Sequence, residues 1–429
     1  MKENKSRRSG RNVVGKILVG LSALGLFACT NLVSNDLASQ SESPTATTSS
    51  ESTSQQDNQT SQAWANRGTG EACQFVESGF GPQGQVEVRA EEVVSGLEVP
   101  WGIVFLENGD MLVSERPGRI RLVQNGQLQP AAIANIEVTA SGEGGLLDIE
   151  AHPNFANNRF FYVYYTADEG GTPVNRVERW QLSANGQTAE RDRLIVDNIP
   201  VARFHNGGRM RFGPDGMLYI GTGDATEPEA SQDVDTLAGK ILRVTPEGEI
   251  PDDNPFPNNP VFLTGIRNTQ GFDWYDESTL WVTDHGPSGE LGRTGQDKVS
   301  VATAGDNLGW PTLQGCESQE GLISPALIWR EAVPPGGAAI YTGEAIEEWQ
   351  GNLIIGTLGS EHLHRVVFDP EAPYRVQTHE VYFGDGANSL GRIREVIMGP
   401  DNELYVTTSN CDGRGSCPPE GDKIVRITR

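Results

Sequence analysis

The chain has 429 residues, with 58 acidic against 33 basic side chains and a formal charge of −25 at pH 7. So acidic a polymer lacks the basic face that a nucleic-acid backbone demands, which excludes that class of partner; it suits a soluble surface in water. Glycine is abundant, at 51 residues, and turn residues break the apolar stretches into short runs, the pattern of many short strands rather than long helices.

Lys2, Lys5, Arg7, Arg8, Arg11 and Lys16 precede an apolar run at 17–28, and Cys29 follows. A basic start, a short apolar stretch and a small residue before the cut make residues 1–28 an export signal. The apolar part falls short of the roughly 20 residues that span a bilayer. Leu26-Phe27-Ala28-Cys29 is similar to a bacterial lipobox, which would make Cys29 the acylated start of the mature chain and its membrane anchor. An ordinary secretory signal with an incidental cysteine is the alternative. Residues 29–70 are rich in Ser, Thr, Gln and Asn, too poor in apolar side chains to offset chain entropy, and read as a disordered linker. The protein is therefore expected outside the cytoplasm, periplasmic or at the cell surface, with residues 71–429 as one domain.

Within that domain one phrase recurs: an apolar strand, a tight turn of Asn, Asp or Gly, and a second apolar strand. It spans 101–114 (turn Asn108-Gly109), 210–221 (Asp215-Gly216), 271–283 (from Asp276) and 396–407 (Asp401-Asn402), with looser copies at 149–165 and 341–368. The turn residues tolerate positive φ, which hairpins require. Six units over 71–429 give about 60 residues each, enough for a four-stranded blade with one long loop. The expected fold is all-β, a six-bladed β-propeller, with the last strand, 422–428, completing a blade begun near the start of the domain so that no sheet edge is left open.

Four cysteines fall in the domain: Cys73, Cys316, Cys411 and Cys417. An even number in an exported chain favours disulfides. Cys411 and Cys417 bracket a glycine-rich turn and are paired on that ground, leaving Cys73 with Cys316. No spacing suggests zinc.

Candidate chemistry rests on few residues. Of six histidines, His205 (in Arg203-Phe-His-Asn-Gly-Gly-Arg) and His285 (in Thr283-Asp-His-Gly-Pro) stand in glycine-rich loops beside the repeats, where a propeller presents its loops near the axis. His152 reads as a turn residue, and His362, His364 and His379 as ordinary loop or surface histidines. Arg392 and Arg394, two apart in a strand, share one face. Such a pair meets either an anion, which a guanidinium fork suits, or the many Asp and Glu of this chain; both readings stand.

Seven motifs in order resemble one family: Gly144-Gly-Leu-Leu-Asp with His152-Pro-Asn-Phe, His205-Asn-Gly-Gly-Arg, Leu237-Ala-Gly-Lys-Ile-Leu-Arg, Arg267-Asn-Thr-Gln-Gly, His285-Gly-Pro, Asn307-Leu-Gly-Trp-Pro and Arg392-Ile-Arg-Glu. Together they are similar to the soluble glucose, aldose sugar and sorbosone dehydrogenases, six-bladed propellers that use pyrroloquinoline quinone (PQQ) and calcium. The resemblance implies oxidation of an aldose at its anomeric carbon to a lactone, with an external electron acceptor. By the same resemblance His205 is the general base and Arg267 stabilises charge on the quinone. Asn268, His285, Arg392 and Arg394 bind the cofactor, the carbonyls of Gly286 and Pro287 bind calcium with Asp297 near them, and Glu143 contacts sugar. The chain departs from the glucose-type pattern in having His285 for a glutamine, Phe204 for an acidic residue, and no lysine near Gly359. These departures point to broad aldose use rather than glucose alone. Two other readings remain: a non-catalytic extracellular propeller that binds glycans or proteins, and a calcium-dependent lactonase, which would need several acids converging on the metal.

Overall fold

A computed structural model of the protein describes residues 66–429. The export signal, Cys29 and the linker up to residue 65 lie outside the described residues. Residues 66–70, expected in the linker, instead pack on the domain: Arg67 donates to the Val301 carbonyl at 3.1 Å and pairs with Asp306.

Six sheets form the six-bladed propeller. Blade one is Pro100–Phe105, Met111–Glu115, Arg119–Gln124 and Gln127–Leu128; blade two is Leu146–Ala151, Phe160–Glu169, Thr172–Leu182 and Ala189–Ile199. Blade three is Met210–Phe212, Leu218–Gly221, Ile241–Val244 and Val261–Leu263; blade four is Gly271–Trp274, Leu280–Asp284, Lys298–Ala302 and Leu327–Trp329. Blade five is Pro335–Ile340, Leu353–Thr357, Leu363–Asp369 and Ala372–Tyr382. Blade six takes Ile393–Met398, Leu404–Thr408 and Asp422–Thr428 from the end of the chain and Arg89–Leu97 from its beginning, paired antiparallel with Ala90 opposite Ile427. This closure, expected from the sequence, ties the first blade strand to the last. Blade four gains a fifth strand, Gln74–Val76, parallel to Leu327–Trp329. Among the described residues no helix is long and apolar enough to cross a membrane.

Five of the six repeat phrases open a blade, while that at 341–368 covers the second and third strands of blade five, after Pro335–Ile340; in each the apolar residues pack between neighbouring sheets. Between blades two and three lie Tyr162, Tyr164, Met210, Leu218 and Ile220, all fully buried. Between four and five lie Trp281, Leu327, Trp329, Leu353 and Ile355. Burying a side chain of this size contributes roughly 1.5–3 kcal/mol each. Two disulfides are present, Cys73–Cys316 and Cys411–Cys417.

The axis itself is polar. The innermost strands and the residue before them contribute Asp148, Glu150, Arg209, Arg211, Asp273 and Glu395. Arg209, fully buried, pairs with Asp148 at 3.1 Å and with Glu395, while Arg211 pairs with Glu395 at 2.9 Å and Glu150 at 3.5 Å. Burial pushes the Glu150 carboxyl up from 4.5 to about 7, against the pull of Arg211 and with added repulsion from Asp148. The folded chain thus keeps a proton here that the unfolded chain has released, so this group's contribution to stability falls as pH rises between those two values. Glu150→Gln removes that dependence. Its urea midpoint is expected to fall less than the wild type's between pH 4.5 and pH 7; parallel falls would show that Glu150 does not titrate in this way.

Candidate active site

One cavity of about 560 Å³ opens among the loops at one end of the axis, lined by His205, Arg267, His285, Arg392, Arg394 and Glu143 together with Trp101. A second, of about 590 Å³, lies against Arg89–Glu92 and the 388–391 turn, and no histidine lines it. The chemistry therefore belongs to the first.

His205 sits in the loop that enters blade three. Its own φ is +60°, and the two glycines that follow are also left-handed. At Gly207 a Cβ would lie 2.5 Å from the Thr222 backbone, so only glycine lets the loop fold against the next strand. The loop is pinned by the His205 N–H, which donates to Glu143 Oε2 at 2.9 Å. His205 Nδ1 lies 2.7 Å from Asp224 Oδ1. Asp224 in turn accepts from Trp310 Nε1 at 2.9 Å and from the Thr226 N–H at 2.8 Å. A carboxylate cannot donate, so Nδ1 carries a hydrogen, and in the neutral ring Nε2 is then the nitrogen with a lone pair. Its neighbour at 3.4 Å is Glu290.

Arg267 and Asn268 lie in the crossover from blade three to blade four. Their backbone N–H groups donate to Asp284, which is itself paired with Lys298 at 2.9 Å. The Arg267 guanidinium is buried, 2.7 Å from Glu290 Oε1 and over the Trp310 ring. Glu290 comes from the long loop after Pro287. Burial raises its carboxyl, but its own backbone N–H and Arg267 outweigh that and hold it below the ordinary range. Asn268 does not line the cavity; its Oδ1 accepts from Gly207 N–H at 2.9 Å, so it braces the His205 loop from behind.

His285 follows the second strand of blade four and donates from Nε2 to the Pro335 carbonyl at 2.6 Å. Burial holds its pKa down, opposed by Asp297 and Glu143. Gly286 and Pro287 lie behind it. Both Asp297 oxygens are used by backbone, one by Gly286 N–H at 2.9 Å and one by Val333 N–H at 2.7 Å. Asp297 therefore braces the turn at Gly286, and neither Gly286 nor Pro287 lines the cavity. Among the described residues no group of three or more His, Cys, Asp or Glu is arranged to hold a metal, so calcium would depend on backbone oxygen.

Arg392 and Arg394 both line the cavity, but Arg392 precedes the strand Ile393–Met398 and the pairing shifts between Ile393 and Glu395, so the regular alternation expected of them is not what brings them together. The two open readings of that pair meet here, for both face one acid: Asp412 accepts from Arg392 Nη2 at 2.7 Å and lies 3.7 Å from Arg394. Asp412 and Arg414 belong to the ring closed by Cys411–Cys417, and Arg414 pairs with Glu143 at 3.0 Å. Burial raises the Glu143 carboxyl, but the His205 N–H and Arg414 together bring it below its ordinary value. Phe204 stands at the rim beneath Arg414.

The fit to an anionic, aromatic group is testable on the donors. Arg267 Nε and Arg394 Nε are buried without a hydrogen-bond partner among the described residues, and buried unpaired donors are costly unless a ligand completes them. Trp101 adds a flat wall beneath Arg394, 5.5 Å away. Residues present thus suit a planar polyanion. Asp224, Glu290, Asp412 and Trp310 went unrecognised as site residues in the sequence. Asp224 stands in Gly221-Thr-Gly-Asp, where only its contact with His205 sets it apart from other acids. The surface reading of His362, His364 and His379 is corrected: all three are buried in a hydrogen-bonded row, at 3.1 and 3.2 Å, with His364 packed on Trp329. Apolar neighbours from adjacent blades cover them, a contact invisible along the sequence.

This propeller joins, in its axial cavity, a carboxylate-held histidine to a cluster of arginines. Its sequence matches the model of the glucose/sorbosone dehydrogenase family over residues 97–424, and the chain belongs to that family of oxidoreductases. It is 31% identical to the aldose sugar dehydrogenase YliI of Escherichia coli strain K12, over 76% of this chain and 91% of that one. It is 34% identical to the uncharacterized protein slr1608 of Synechocystis, over 77% and 86%. Among solved structures it is similar to the PQQ-bound aldose sugar dehydrogenase of Streptomyces coelicolor, with 32% identity, a TM-score of 0.70, and coverage of 80% of this chain and 99% of that one.

Proposed function

We propose that the protein is a PQQ-dependent aldose dehydrogenase that oxidises the anomeric carbon of an aldose to the lactone, with His205 as general base. The observation that carries this is His205 Nδ1 held by Asp224, leaving Nε2 at the mouth of a cavity ringed by Arg267, Arg392 and Arg394. When bound, the quinone supplies the hydride acceptor. His205 Nε2 takes the proton of the anomeric hydroxyl, and Asp224 favours the imidazolium that results. Arg267, fixed over Trp310 beside the base, would stabilise the negative charge that the bound acceptor gains when hydride leaves the sugar. Arg392 and Arg394 bind carboxylates, His285 lines the site, and Asn268 braces the His205 loop behind it. Glu143, with Oε2 on the His205 backbone and Oε1 on Arg414, contacts sugar hydroxyls through the acceptor positions that those two bonds leave. Phe204 at the rim supports an open preference among aldoses.

Electrons pass to an external acceptor. Calcium at the Gly286 and Pro287 carbonyls is part of this reading through the His285-Gly-Pro resemblance, and no step is routed through it. Export and acylation at Cys29 belong to it through the sequence alone; the mass of the mature N-terminus tests them. The function is tested by adding PQQ and calcium to the apo-protein and following dye reduction with a panel of aldoses. No turnover with any sugar, and no quinone absorbance retained after washing, would sink the proposal.

Glu290 gives a further expected result. Its carboxylate sits on Arg267 and beside His205 Nε2, so an incoming anion must displace it. Glu290→Gln is expected to bind PQQ roughly three- to tenfold more tightly, one partly exposed ion pair's worth, read by fluorescence titration of apo-protein. Weaker binding would show that Glu290 helps to hold the ligand.

A further inference from the structure

The charges of the cavity do not balance, and the imbalance falls on one residue. Arg116, Arg267, Arg392, Arg394 and Arg414 line it against Glu143, Glu290 and Asp412. Arg267 pairs with Glu290, Arg414 with Glu143, and Arg392 with Asp412, which Arg394 shares at longer range. Arg116 has no carboxylate partner among the described residues. Its Nη1 reaches the Gly142 carbonyl at 3.3 Å and its Nη2 the Asp412 carbonyl at 3.5 Å, both at the long end of hydrogen bonding.

The backbone that presents Arg116 is firmly held. It opens the turn between the second and third strands of blade one. Its N–H donates to the Val99 carbonyl at 3.1 Å, and its own carbonyl accepts from Leu146 N–H at 2.9 Å. Gly145 leaves it room, since a Cβ there would lie 2.7 Å from Arg116 Cγ. The stem is fixed while the guanidinium is weakly engaged. Asp412 is the meeting point: Arg116 reaches its carbonyl, and Arg392 and Arg394 its carboxylate. Burial holds the Arg394 pKa down to about 9; Asp412 opposes that shift, while Arg392 and Arg116 add to it as like charges. Two guanidinium groups thus share one carboxylate while Arg116 has none, and Arg394 Nε remains without a partner. The wall at Leu358 and Gly359 supplies no cation of its own.

We propose that Arg116 is a third carboxylate-binding arginine of this site, reaching the ligand from blade one while Arg392 and Arg394 reach it from blade six. The inference rests on the reading that the cavity takes PQQ and an aldose. Its chemistry is a carboxylate, which PQQ carries and which an acidic aldose such as glucuronate also carries.

The test titrates the full-length apo-protein with PQQ and follows fluorescence. Arg116→Met is expected to weaken PQQ binding about tenfold or more, the usual loss for a charge-assisted pair. Arg116→Lys is expected to stay within about threefold of wild type, and both variants to keep the wild-type thermal midpoint. The deficit of Arg116→Met should shrink as salt is raised. If the carboxylate is the substrate's, Arg116→Met binds PQQ normally and its KM for glucuronate rises about tenfold with KM for glucose unchanged; this supports the proposal with the sugar as the source. Unchanged PQQ affinity together with unchanged KM for both sugars overturns it. Wild-type protein that binds no PQQ overturns the proposed function and this inference with it, a result visible before any variant is made.

Discussion

Asp224→Asn is expected to lower kcat by about 10²–10⁴-fold, the range that a positioned general base supplies, while PQQ affinity stays within a few-fold of wild type. The reason is the count of donors around one carboxylate. Oδ1 accepts from His205 Nδ1 and Thr226 N–H, and Oδ2 accepts from Trp310 Nε1. An asparagine has one oxygen and cannot satisfy all three. With its amide nitrogen toward His205, the ring turns to the tautomer that carries its hydrogen on Nε2, and the base is lost. With the nitrogen toward Trp310, two donors face each other and the charge that supports imidazolium is gone. His205→Ala is expected to fall as far, and the double variant no further, because the two residues act as a unit. Measuring kcat, KM and PQQ affinity for the three variants checks this. A kcat for Asp224→Asn within threefold of wild type would refute the orienting role.

The largest expected effect on stability is at Arg209. Its side chain is fully buried, pairs with Asp148 and Glu395, donates from Nε to the Gln270 carbonyl at 2.8 Å and lies 4.6 Å over Trp101. Arg209→Met keeps the apolar stem but leaves two buried carboxylates short of a counter-charge. Breaking a buried pair from one side costs about 3–5 kcal/mol, and urea unfolding at neutral pH is expected to show that loss. Burial already raises the Asp148 carboxyl to about 6, against the pull of Arg209 and with Glu395 pushing it further up. Without Arg209 it protonates more readily, so the deficit should narrow toward acid pH. A loss below about 1 kcal/mol at neutral pH, the scale of an ordinary surface pair, would mean that Arg211 alone neutralises the axis. Trp101 and Gln270 also line the cavity, so Arg209 links the stability of the axis to the shape of the site.

The repeat phrase was legible because each copy is local. A hairpin with Asn, Asp or Gly at its turn and alternating apolar residues around it has few other folds open to it. The closure by residues 422–428 was legible for the same reason, as an odd strand that needed a partner. The site was half legible. His205 and His285 stood out because histidines are few and both lie in glycine-rich loops, and the arginine pair stood out against an acidic background. Asp224 did not, for it is one acid among 58 acidic residues, and its meaning comes from a ring 19 positions away. Glu290 lies in a loop longer than the resemblance could align.

The sequence by itself determined the propeller, its number of blades, the resemblance to a dehydrogenase family, and the residue types able to carry the chemistry. These follow from periodicity, turn chemistry and motif order, which are properties of neighbouring residues. Only the tertiary structure decided which charges meet. It set Asp224 behind His205, Glu290 across Arg267, and Asp412 between Arg392 and Arg394, and it left Arg116 without an acid among the described residues. A propeller gathers loops from all its blades at one end of its axis, so pairing there is set by ring geometry and not by distance along the chain.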